Sequence, residues 1–149
     1  MKNYTSQVPA DKTISMIERE LAKAGATNIL KNYEAGEVTS ISFTIFDPLS
    51  AKLILIKLPV KIKAVEDVLF KKYKRIRTSS IKKTRDQARR TAWRLVLDWV
   101  QVQLSMMEMN QVEMTQIFLP YIWDGQKTFY QALKENNFKA LPKVENNEN

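Results

Sequence analysis

With 149 residues, 44% of them hydrophobic and only three glycines, the chain is long enough to bury one core without staples; a single domain over 1–142 and a disordered tail at 143–149 are expected. It has no cysteine and no histidine, which excludes disulfides, thiolate nucleophiles, the usual Cys/His zinc sites and imidazole general bases. The net charge of +8 is local, because residues 71–94 hold eleven basic side chains and one acidic one, for +10, while the rest of the chain sums to −2.

In chain order, Asp11 or Thr13 can cap a first helix in which Ile14, Ile17 and Leu21 recur at helical spacing, ending at Gly25, a residue type that tolerates the left-handed position after a helix. Segments 28–33 and 38–46 then read as a β-hairpin around Glu34-Ala35-Gly36-Glu37, with a loop of the bulged or four-residue kind. In the second strand Ile41, Phe43 and Ile45 alternate with Ser40, Ser42 and Thr44, which predicts a sheet packed on one face and wet on the other. After the turn Asp47-Pro48-Leu49-Ser50, a third strand at 52–58 carries Leu53 and Leu55 on one face and Ile54 and Ile56 on the other, and Pro59 ends its pairing.

A helix at 64–73, with Val65, Val68 and Leu69 at helical spacing, leads into a predicted basic loop at 74–83. A long helix follows at 84–109, where Ala88, Ala92, Leu95, Trp99, Val102, Met106 and Met109 step by four and three; Trp93, Val96, Val100 and Leu104 widen the apolar arc enough to contact the sheet and a second helix or subunit. A short helix at 112–118 stops before Pro120, and Tyr121-Ile122-Trp123 leads through Asp124-Gly125 to a last helix near 127–135. The fold class expected is α+β: an N-terminal helix, a three-stranded antiparallel meander, a long central helix and short C-terminal helices.

A cationic block this dense repels itself unless something anionic sits against it, so a polyanion such as nucleic acid is the natural partner. The residues expected to meet it are Lys71, Lys72, Lys74, Arg75, Arg77, Lys82, Lys83, Arg85, Arg90 and Arg94, with Tyr73 as an aromatic platform inside the block. Lys83, Arg90, Arg94 and Gln101 fall within about 40° of one another on the long helix and form a ridge continuous with the loop. About six phosphate contacts would give a slope of log K against log salt near −4 to −5. Tyr33 and Phe43 are weaker, sheet-borne stacking candidates, while Trp93, Trp99, Phe118, Tyr121 and Trp123 read as core or subunit contacts.

The carboxylates Glu66, Asp67, Asp98, Glu108, Glu113 and Asp124 are scattered, and no glycine-rich phosphate loop occurs, so no catalytic or metal site and no cofactor is expected. Apolar runs such as 53–56 fall far short of the roughly 18 residues a membrane span needs, which with the lack of a signal-peptide core points to a cytoplasmic protein without a membrane partner. The methionines Met106, Met107, Met109 and Met114 read as gap-filling core or as an adaptable contact surface.

At Ala92-Trp93-Arg94, Asp98-Trp99, Gln103-Leu104 and Phe118-Leu119-Pro120-Tyr121, with Gly25-Ala26-Thr27-Asn28-Ile29 and Leu58-Pro59, the chain resembles a family of small proteins of phages and other mobile elements over residues 12–133. No activity is established for that family, so the resemblance implies a phage or prophage setting and no chemistry. The order helix, meander, long helix is also similar, in topology alone, to that of ring-forming single-strand annealing proteins. Two functions are expected on these grounds. One is a non-enzymatic nucleic-acid-binding protein, single strands favoured over double, with a homo-oligomer formed through the long helix. The other is an interaction protein, of an anti-defence type, that inhibits a host nucleic-acid-handling complex.

Overall fold

The computed structural model describes residues 2–73 and 78–145. It contains α1 (Ala10–Lys23), β1 (Asn28–Glu34), β2 (Glu37–Asp47), β3 (Lys52–Lys57), α2 (Ile62–Lys72), α3 (Thr78–Glu108), α4 (Met114–Phe118), a 3₁₀ turn (Leu119–Tyr121) and α5 (Phe129–Glu135). The three strands form an antiparallel meander in the order β1-β2-β3, so the α+β architecture is as expected.

α1 starts one residue before the nearer predicted cap, with Pro9 in the cap position, and Thr13 is turned inward and fully buried instead of capping. Its end is a Schellman motif: the Ala26 N–H reaches the Leu21 carbonyl at 3.0 Å, the Gly25 N–H reaches Ala22 at 3.2 Å, and Gly25 sits at φ +103°. The hairpin loop is shorter than predicted. Glu34 pairs with Glu37, leaving Ala35 and Gly36 as a two-residue loop with φ of 49° and 81°, the doubly positive geometry whose twist matches that of the strands. The irregularity expected at the loop lies instead between Asn32 and Tyr33, where the β1/β2 register shifts.

Ile41, Phe43 and Ile45 of β2 face the helices together with Ile56 of β3, and pack against Ile14, Ile17 and Leu21 of α1, Trp93, Leu97, Val100 and Leu104 of α3, and Phe118. Each such side chain contributes about 1.5–3 kcal/mol by leaving water. Phe118 meets Phe43 edge-on at 5.3 Å and Trp99 at 5.7 Å, which fixes α4 under the sheet. The other sheet face is drier at its centre than predicted, since Ser40 and Ser42 are buried: Ser40 accepts from the Asn32 amide at 2.9 Å, and Ser42 lies between its cross-strand partners Leu30 and Lys57. Toward its margins that face is open: Leu30, Phe46 and Leu53 are more than half exposed. Beyond β3, Trp123 donates its N–H to Leu55 and Ile122 bridges Ile56, covering a strand edge that would otherwise be unpaired.

One correction concerns α3. It begins at Thr78, so residues 78–83 are helical and not part of a loop; positions 74–77 lie outside the described residues. Its sheet-facing row is Trp93, Leu97, Val100 and Leu104, roughly 160° around the helix from the row Ala88 to Met109, so α3 meets the sheet on one side and a helix on the other, as its wide apolar arc implied. The bulkier row takes the sheet. The predicted row packs α2 and Tyr121 around Ala92, Leu95 and Trp99, then emerges at Val102 (58% exposed) and Met109 (71%).

Candidate nucleic-acid interface

The described cations of 71–94 stand at the end of α2 and along α3 from Lys82 to Arg94. Lys71 and Lys72 stand in the last turn of α2, where the helix dipole favours positive charge, and Tyr73 closes the helix with its N–H on Leu69 at 3.0 Å and its ring 42% exposed. Lys74, Arg75 and Arg77 lie outside the described residues. Lys82, Lys83 and Arg85 are exposed on the second and third turns of α3; Thr84, between them, is buried, its hydroxyl on the Ser80 carbonyl at 2.9 Å. None of Lys71, Lys72, Lys82, Lys83 and Arg85 is within ion-pair distance of a carboxylate among the described residues.

The arginines further along α3 are differently placed. Arg89 is 8% exposed and donates to the Val38 carbonyl at 2.7 Å, with Asp11 at 3.5 Å and Glu37 at 3.8 Å. It joins α3 to the hairpin and to α1. Arg90 donates through Nε to the Ser6 carbonyl at 3.1 Å and through Nη2 to Gln87 at 2.8 Å, and Arg94 pairs with Asp98 at 3.4 Å. Of the predicted ridge, Arg90 is thus taken up by the chain's own N-terminal arm while Lys83 stays exposed; the arm also receives the Thr91 hydroxyl on the Asn3 carbonyl at 2.8 Å and donates from Asn3 to Asp98 at 2.7 Å. Tyr4 of this arm lies 3.6 Å from the Lys72 ammonium, joining the arm to α2. Sequence reading missed the arm. Residues 2–8 have no apolar period, and most of their contacts run through backbone carbonyls that leave no trace in side-chain pattern.

A cleft of about 960 Å³ opens between the hairpin tip, the first turns of α2 and the start of α3. Lys63, Lys82, Arg85 and Arg89 line it together with Glu34, Glu37, Glu66 and Asp86, while Lys83 and the end of α2 lie outside it. Lys63 is held above the usual lysine range by its hydrogen bond to Asp67. Among the aromatics, Phe43 is fully buried, which removes it as a stacking candidate, while Tyr33 is 59% exposed on β1. Among the described residues no three carboxylates converge as metal ligands, and no helix is long and apolar enough to cross a membrane. No protein-family model, curated protein or solved structure matches the chain.

Proposed function

We propose that this is a non-enzymatic nucleic-acid-binding protein of a phage or mobile element, working in the cytoplasm, which holds the phosphate backbone through the end of α2 and the start of α3. The observation that carries the reading is the group of five exposed cations, Lys71, Lys72, Lys82, Lys83 and Arg85, without carboxylate partners among the described residues and flanked by an exposed Tyr73. Such side chains release condensed counterions when they meet phosphates, and a flanking aromatic ring offers a base a stacking surface, which favours single strands.

Labelled single-stranded and duplex oligonucleotides titrated at increasing salt test this directly. Five contacts predict slopes of log K against log salt of about −3.5 on single strands and about −4.5 on duplex, with little dependence on sequence. Absence of binding in dilute buffer would refute the proposal. Light scattering on the eluting peak, with and without the strand, reads the homo-oligomer at the same time.

A second reading draws on the uncovered apolar surfaces, Leu30, Phe46 and Leu53 on the sheet and Val102 and Met109 on α3. These suit a protein partner, and the reading is that of an inhibitor of a host nucleic-acid-handling complex. Co-purification with one host protein and no retention of free oligonucleotide would favour it.

A further inference from the structure

Three donors on one flank of α3 converge on the N-terminal arm. The Gln87 amide and the Arg90 guanidinium both donate to the Ser6 carbonyl, at 3.0 and 3.1 Å, and the Thr91 hydroxyl donates to the Asn3 carbonyl. The arm brings no negative charge to this flank, since Lys2 is the one ionisable side chain of residues 2–8 other than the phenol of Tyr4. Arg90 is therefore satisfied by neutral oxygens while its charge stays unneutralised. Lys72 is in the same condition, its ammonium on the Tyr4 ring. A phosphate oxygen can take the same donors, and a hydrogen bond to an ionised acceptor is roughly twice as strong as one to a neutral carbonyl.

We propose that residues 2–7 form a displaceable strap, which occupies the α3 side of the phosphate-binding surface in the free protein and yields to a polyanion. The proposal rests on the nucleic-acid reading above and deepens it. The strap engages one cation on each helix, Arg90 through the Ser6 carbonyl and the ammonium of the otherwise exposed Lys72 through the Tyr4 ring, so its departure joins the ends of α2 and α3 into one track. Terminal segments held by a few polar contacts open at low cost, and here Thr5 and Gln7 are exposed while Asn3, Tyr4, Ser6 and Val8 are half-buried. The Tyr4 ring, once released, becomes a second stacking surface beside Tyr73.

The chain has no cysteine, so a full-length variant carrying Ser6→Cys and Gln87→Cys can be locked by a short bismaleimide without side reactions. Binding of a labelled oligothymidylate is compared between the locked and the unlinked forms of the same variant, with thermal melts of both. The strap predicts a salt slope shallower by about 1.5 in the locked form, for two lost contacts, and an affinity lower by about tenfold or more in dilute buffer. Equal slopes and affinities in the two forms, with binding intact, would overturn the strap and leave the nucleic-acid reading standing. Binding by neither form would overturn both.

Discussion

Ala35 holds a left-handed backbone, φ 49°, in the hairpin loop, a conformation that costs an L-residue with a Cβ about 1–2 kcal/mol. The neighbouring Gly36 takes its positive φ freely, and asparagine is the usual companion of glycine in such a loop because its amide can bond locally. Ala35→Asn should therefore raise stability by about 0.5–1 kcal/mol, a gain of about 1–4 °C in Tm, readable in a thermal melt. Two other turns are held by carboxylates. The Ser50 hydroxyl, with the Ser50 and Leu49 N–H groups, keeps Asp47 below the usual aspartate range, and the Lys127 and Gln126 N–H groups do the same for Asp124. A pKa depressed by folding gives stability that is present above the unfolded value of about 4 and is lost as pH falls through the lower folded value. Acid melts between about pH 5 and pH 2 should thus show a shallower loss for Asp47→Asn combined with Asp124→Asn than for the natural chain; equal slopes would mean that these carboxylates do not contribute.

At the scale of the element, α3 carries two apolar rows, and local pattern does not choose between them. The row with unbroken steps of four and three, from Ala88 to Met109, turns Ala92, Leu95 and Trp99 toward α2, while Trp93, Leu97, Val100 and Leu104 fill the space above Phe43 and Ile56. Volume decided it. Leu97→Ala should cost about 2–5 kcal/mol, since it opens a cavity at a fully buried position, whereas Val102→Ala, at 58% exposure, should stay within about 0.5 kcal/mol; urea melts of both variants check the assignment. The strands were legible because β2 alternates strictly, and the end of α1 because Gly25 marks it. The start of α3 was not, since Thr78-Ser79-Ser80 has the composition of a turn and no apolar residue until Ile81. Thr84, one helical turn on, hydrogen-bonds to the Ser80 carbonyl, so a hydroxyl just after this stretch is accommodated inside the helix.

For the whole molecule, the question is what a local charge of +10 does to the fold. The block was legible in composition, but the division of labour within it was not, because a partner such as the Val38 carbonyl lies 51 residues away in sequence. Arg89 is spent on joining three elements; Lys82, Lys83 and Arg85 join nothing that the described residues reveal and repel one another at close quarters. Cations that tie elements together and cations that tie none among the described residues thus share one helix. Replacing Lys82, Lys83 and Arg85 together by Gln should leave Tm unchanged or slightly higher, within about 0.5 kcal/mol per site, because exposed substitutions cost little and self-repulsion is relieved. The same variant should lose about 2–3 units of salt slope on nucleic acid, one phosphate contact for each cation removed. Arg89→Gln should behave in the opposite way, lowering Tm through the unsatisfied Val38 carbonyl, at about 1–3 kcal/mol, while leaving the slope intact. Melts and salt titrations of the two variants side by side decide the matter: a large stability loss in the triple variant with no change in slope would make these cations structural and end the case for a phosphate-tracking surface.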